Sequence, residues 1–478
     1  MQKRILFLAG SSGRDTWMWK IYEEMNKRET IIPCFIATRE KNVEFFISKG
    51  IKKDQILDFF SIPKNNVPDL KFLEECEKKY KFNIWDAWYV TSVRRKGRSK
   101  IKPKTILGYF DFFFKKTEKM IQEFKPDYYI CYGPAGYHSM ILHEVLRQNK
   151  IPVIELVPFV ISNRFTFSED LTNIWPSLLI SYDQVKKQGF SEKEKKNAEQ
   201  FIINFQNKPK DPYLKAPSGK LISEKVKKMF SYAYQLIKYR NELPDFKFIF
   251  WPLIQRVYDQ MGLFEKPKKG EKYVFFPLHF QPEATTLIYG KWYVDQTSLI
   301  ENLSKSIPIS HMLYVKVHPS GYGNKSLNFY KRIKKLPNVR LISPHENTFK
   351  LIKNCSLLTT ITGTAGWEAT LFQKPVVTFG NIFYNVFEET VKIQNIEELP
   401  EKIRSGLEKK VNYNKLVEFI VALFRCTHEG LAWLPGDCYD LSLEEKNNEI
   451  LVNQIHHYMK KHTLINKENQ MILKEIKT

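Results

Sequence analysis

The chain of 478 residues has no CxxC pair; its six cysteines, Cys34, Cys76, Cys131, Cys355, Cys426 and Cys438, are scattered along it. Their spacing suits no metal ligand set, so the thiols read as reduced and mostly structural. No apolar run approaches the roughly 20 residues that span a bilayer. The opening MQKRILFLAGSSGRD has a basic start but an apolar core of only about six residues, which reads as a first strand rather than a signal peptide. A cytoplasmic location is the expectation that follows. Acidic residues are scarce beside basic ones, 52 Asp and Glu against 75 Lys and Arg, for a net charge of +23. The excess suits anionic partners: acidic glycans, or an anionic membrane surface on the inner face of the cytoplasmic membrane. No RNA-binding signature appears and the aromatics are patterned as core, so nucleic acid is not an expected partner. No Asp-x-Asp motif ends a strand; Asp437-Cys438-Tyr439-Asp440 has the wrong spacing.

What is present is a large apolar complement, 43% hydrophobic and 14% aromatic, arranged as short buried runs alternating with helical patterns. KRILFLA (3–9), IIPCFIAT (31–38), DYYICYG (127–133) and IPVIELVPF (151–159) read as strands of one doubly wound α/β domain. KYVFFPLHF (272–280), MLYVKVHP (312–319), VRLIS (339–343), LLTTIT (357–362) and PVVTFG (375–380) read as a second. Residues 50–105 break the first rhythm and are expected to be a helical, partly exposed insertion. Residues 166–270 break it again, with helices expected at 191–205 and 224–242. Residues 246–264 read as a buried apolar helix interrupted by Pro252.

Ligands of parallel α/β sheets bind at strand carboxyl ends. Three such loops in the second domain carry matching chemistry. His279 and Glu283 follow the first strand; Lys316, His318, Pro319 and Ser320 end the second. Thr362, Gly363, Thr364, Gly366 and Glu368 form a small-residue turn entering a helix, whose free N–H groups suit a phosphate. Histidine and lysine can hold phosphate oxygens, and Glu368 can accept from ribose hydroxyls. A nucleotide-type site is predicted here.

The segments PLHFQPEA, YVKVHPS, TITGTAGWEA and KPVVTFG resemble the C-terminal half of the capsule polysaccharide biosynthesis proteins, which include Kdo transferases of GT-B fold. They are also similar to the His-Pro and Ser-Ser motifs of bacterial sialyltransferases, although the turn here is Thr-Gly-Thr. The resemblance covers about residues 272–400. It implies that His318, the histidine of the His318-Pro319 pair, contacts a donor phosphate, and that Thr362, Thr364 and Glu368 hold the nucleotide. It implies transfer of a sugar from a nucleotide-sugar co-substrate, with CMP-linked sugars as one option, to a glycan or lipid-linked glycan acceptor. GT-B enzymes commonly need no bound metal, so neither metal nor cofactor is expected.

The expected architecture is therefore α/β and GT-B-like, two doubly wound Rossmann-type domains facing a cleft. Residues 1–165 form an acceptor-side domain, 166–270 a largely helical insertion and linker, 271–410 the nucleotide-sugar domain, and 411–478 C-terminal helices and a tail. A base that deprotonates the acceptor should come from the first domain. Glu155, Asp15 and His138 are the candidates. Glu155 leads, because a carboxylate inside an apolar run is costly unless paired or functional. Asp15 reads equally as a helix cap, and His138 as a first-turn residue. A nucleotide-sugar 2-epimerase, a glycerophosphotransferase and a non-catalytic nucleotide- or glycan-binding subunit are the alternatives.

Overall fold

The computed structural model describes residues 2–10, 14–62, 66–94, 101–133, 136–159, 164–168, 173–209, 254–255, 257–322, 325–432 and 441–465. The helix expected at 224–242 and the first part of the apolar stretch 246–264 lie outside them. The first half runs β1 (Lys3–Leu8), α1 (Arg14–Asn26), β2 (Ile31–Ala37), α2 (Glu40–Ser48), β3 (Ile56–Asp58), α3 (Leu70–Tyr80), α4 (Ile84–Arg94), α5 (Pro103–Phe124), β4 (Tyr128–Cys131), α6 (Tyr137–Gln148), β5 (Val153–Pro158), β6 (Arg164–Ser168), α7 (Pro176–Gln188) and α8 (Glu192–Asn207). The second runs β7 (Tyr273–Pro277), α9 (Gln296–Ser306), β8 (Met312–Lys316), α10 (Leu327–Lys334), β9 (Val339–Ile342), α11 (Thr348–Asn354), β10 (Leu357–Thr360), α12 (Thr364–Leu371), β11 (Val376–Thr378), β12 (Thr390–Lys392), α13 (Leu399–Glu408), α14 (Tyr413–Cys426), β13 (His428–Glu429) and α15 (Leu441–Ile465).

Two sheets result, as the sequence predicts. The first has the order β13-β6-β5-β4-β1-β2-β3 and the second β12-β11-β10-β7-β8-β9. The second is parallel throughout. Its strands are continuous apolar runs because both faces are covered: Val274, Phe275 and Phe276 of β7 are fully buried. In each sheet the order reverses beside the domain's first strand. β1 lies between β4 and β2, and β7 between β10 and β8. Such reversal points open a crevice at the strand carboxyl ends.

Three features differ from the sequence reading. The segment 50–105, expected as a helical insertion, also carries a strand: β3 extends the sheet, and α3 and α4 place Leu73, Cys76, Tyr80 and Trp88 in one core with Phe110 and Phe113 of α5. The charge-rich look of α3 is its outer face; Leu73, Cys76 and Tyr80 form the inner one. Residues 164–168 form a strand antiparallel to β5. The chain also returns from the second domain to the first: β13 pairs antiparallel with β6, and Leu451, Val452, Ile455 and Met459 of α15 share a core with Ile5, Phe7 and Trp17. Arg164 fastens this return, donating to Thr427 Oγ1 at 2.8 Å and to the carbonyls of Thr427 and Phe424 at 2.6 and 3.1 Å.

Candidate active site

The turn after β10 lies at the reversal point of the second sheet. Gly363 is the N-cap of α12 and has no side-chain cap. Its amide donates instead to Thr360 Oγ1 at 3.1 Å, and its carbonyl accepts from the Tyr384 hydroxyl at 2.6 Å. Tyr384 demands a glycine one turn on: a Cβ on Gly366 would lie 2.3 Å from its hydroxyl oxygen. The Thr362 side chain is 5% exposed, and its Oγ1 has no hydrogen-bond partner among the described residues. Buried polar side-chain atoms are normally hydrogen-bonded, so this hydroxyl stands out at the strand end.

His279 stands across the reversal point, two residues beyond β7. Its ring Nε2 lies 3.1 Å from the Ile361 amide, 3.5 Å from the Thr362 amide and 3.1 Å from Thr360 Oγ1. Burial and the neighbouring His318 push its pKa down to about 4. Lys316, the last residue of β8, is 3% exposed. Burial lowers its pKa to about 8, against the pull of Glu346. Its carbonyl accepts from the Leu278 amide at 2.9 Å, but its ammonium makes no hydrogen bond or ion pair among the described residues. His318 is half-buried, its ring 6.0 Å from that of Phe280. Pro319 is exposed and opens a short helical turn that includes Ser320. Thus His279, Lys316, His318, Thr362, Gly363 and Thr364 gather around the ends of β7, β8 and β10. Gly366 and Glu368 lie in α12; Glu368 is 4% exposed, and its charge, after burial, raises the Tyr384 phenol. Glu283 is exposed and accepts from Thr285 Oγ1 at 3.3 Å. Sequence patterns did not reveal Tyr384 or Thr360 as partners of this turn, nor Gln296 as the partner of the His279 backbone. Thr360 is hidden in the strand pattern, and nothing local ties Tyr384 to the turn or Gln296 to His279.

In the first domain, Asp15 and His138 follow the carboxyl ends of β1 and β4 in the first turns of α1 and α6, whereas Glu155 lies inside β5, third of its six residues. Asp15 is in the first turn of α1, and its Oδ2 accepts from Asn42 Nδ2 at 3.0 Å. The same Asn42 nitrogen donates to Gly10 O at 3.1 Å, stitching the end of β1 to α1 and α2. His138 is in the first turn of α6, half-buried, with its ring edge-on to Tyr137. Glu155 is 4% exposed and lies opposite Cys131 in β4 and Ser168 in β6. Its Oε1 points towards the loop after β4, 3.5 Å from where a Gly133 Cβ would stand. Its Oε2 is 3.8 Å from His143 Nε2. Burial, helped by Arg147, holds His143 neutral with a pKa of about 3. His143 was not apparent as a neighbour of Glu155, because nothing in the pattern of α6 marks it.

The two domains touch at their strand ends. Phe159, just past β5, packs 6.2 Å from Trp367 of α12 and 5.2 Å from Phe383, centroid to centroid. Lys291, in the connection after β7, bonds Asp86 of α4 at 2.9 Å. Leu287 of that connection joins the first domain's core. Trp17 and Trp19 are buried at 4% and 8% exposure and pack in the core rather than line a crevice. Among the described residues, no group of three His, Cys, Asp or Glu side chains is placed to hold a metal ion.

Residues 254–396 match the family model of the capsule polysaccharide biosynthesis proteins. The resemblance carried by PLHFQPEA, YVKVHPS and TITGTAGWEA is thereby borne out over that stretch. In sequence, no curated protein matches the chain. Among solved structures, the beta Kdo 2,7 transferase KpsC of Thermosulfurimonas dismutans is 12% identical, with a TM-score of 0.38 over 71% of this chain and 89% of its own. The UDP-GlcNAc 2-epimerase of Methanocaldococcus jannaschii is 15% identical, with a TM-score of 0.27 over 89% and 99%. At such identities and TM-scores these likenesses carry no argument about this chain's chemistry.

Proposed function

We propose that this chain is a glycosyltransferase that passes a sugar from a nucleotide-sugar donor to a capsular or other surface polysaccharide. The observation that carries the reading is the convergence of Lys316, His318, Thr362 and the start of α12 at one sheet's reversal point, inside the stretch that matches the capsule family. A cationic and hydroxyl-rich pocket edge of this kind suits a phosphate leaving group. In the proposed reaction the acceptor hydroxyl oxygen bonds to the sugar's anomeric carbon, and the bond from that carbon to the phosphate oxygen breaks. Glu155 takes the hydroxyl proton, while Lys316, His318 and the α12 amides stabilise the charge left on the nucleotide. Preorganised donors in a water-poor site contribute more here than they would in water.

The acceptor in this reading is a glycan or lipid-linked glycan approaching from the first domain. Among the described residues no helix is long and apolar enough to cross a membrane. The net charge of +23 supports peripheral docking on the anionic inner face of the cytoplasmic membrane as part of the proposal. A thermal-shift panel of CMP-, UDP-, GDP- and CDP-linked sugars tests the donor half directly. Stabilisation by one nucleotide class, the CMP-linked sugars first, is the expected result. No shift with any of the four would sink the reading.

A further inference from the structure

We propose that His279 is a positioning residue: it holds the Ile361–Gly363 turn through a neutral imidazole protonated on Nδ1, and does not itself contact the donor. The inference rests on the donor-site reading for its consequence, but its geometry stands alone. The backbone of His279 is clamped from both sides by Gln296, which is 2% exposed. The His279 amide donates to Gln296 Oε1 at 2.8 Å, and Gln296 Nε2 donates back to the His279 carbonyl at 3.2 Å. The backbone that carries the ring is thereby held at the strand end by a buried amide side chain.

The direction of the ring's hydrogen bonds follows from elementary donor chemistry. A backbone amide can only donate, and the amides of Ile361 and Thr362 both point at Nε2. Nε2 therefore carries its lone pair, and a neutral imidazole then carries its single proton on Nδ1. A histidine that bonded phosphate through Nε2 would need a proton there, and the Ile361 amide would lose its acceptor. The depressed basicity of the ring agrees with the neutral form.

The consequence is a turn whose own polar groups are spoken for. His279 takes the amides of Ile361 and Thr362, Thr360 Oγ1 takes that of Gly363, and Tyr384 bonds the Gly363 carbonyl. Among the described residues, the Thr362 hydroxyl remains without a partner. His279 thus works through Thr362, fixing where that hydroxyl points.

Selective isotopic labelling of the histidine nitrogens tests this by NMR, with the His279→Gln variant assigning the resonances. The free protein should show a proton on Nδ1 and none on Nε2, unchanged at saturating CMP or UDP. His279→Gln, whose amide oxygen can replace Nε2 as acceptor, should keep nucleotide affinity within about threefold, whereas His279→Ala should lose about tenfold or more. A protonated Nε2 in the free protein, a switch to that form on adding nucleotide, or a Gln variant as weak as the Ala variant would overturn the proposal. Should wild-type protein bind none of CMP, UDP, GDP and CDP, the donor-site reading fails. The free-protein tautomer still decides whether His279 holds the turn.

Discussion

A lysine at 3% exposure with no acceptor among the described residues is held against its own hydration, and Lys316 is in that position. Its pKa of about 8 lies below the ordinary 10.5 because burial disfavours the ammonium. The folded protein therefore binds this proton less tightly than the unfolded chain, so stability should rise as pH climbs from about 8 towards 10.5. An anionic ligand reverses the balance by favouring the charged form. Nucleotide affinity should then fall as pH rises above about 8, and Lys316→Met should flatten that profile; calorimetry across pH checks both. His318→Ala should lower transfer about a hundredfold, the size expected for a lost charge-stabilising contact, with thermal stability unchanged. Steady-state kinetics would read this, and unchanged turnover would remove His318 from the site. Glu155→Gln should abolish transfer while nucleotide binding persists. Retained transfer would send the search for the base to Asp15 or His138.

At the scale of elements, the turn between β10 and α12 is a close-packed joint. Gly366 abuts the Tyr384 ring so tightly that an added methyl must displace it. Gly366→Ala should cost about 2 kcal/mol, the usual size of core overpacking, and weaken nucleotide binding with it; denaturant melts and a binding isotherm measure the two. The rhythm of this joint was legible in the sequence because LLTTIT and PVVTFG are uninterrupted apolar runs bracketing a glycine turn. The strand-end placement of Lys316 and His318 was legible for the same reason. The hydrogen bonds of the joint were not: His279 and Ile361 are 82 residues apart, and no local pattern pairs them. Strands such as β6 and β13 escaped notice because five and two residues are too few to show a period. The inner face of α3 was hidden by the lysines and glutamates of its outer face.

At the scale of the whole molecule, the first domain is finished by the last part of the chain. Arg164→Ala should leave the Thr427 and Phe424 carbonyls without their donor and cost about 2 kcal/mol, the penalty of a half-buried polar group stripped of its partner. A thermal melt would detect it, and a melt unchanged from wild type would show the clamp to be dispensable. The return also sets an order of events during synthesis. Ile5, Phe7 and Trp17 leave the ribosome early, yet the side chains that cover them, Leu451, Val452, Ile455 and Met459, emerge more than 400 residues later. The second domain, whose sheet is wholly contiguous in sequence from Tyr273 to Lys392, can close first. The nascent first half must wait with an apolar flank uncovered, so it is the half that a chaperone would be expected to shield.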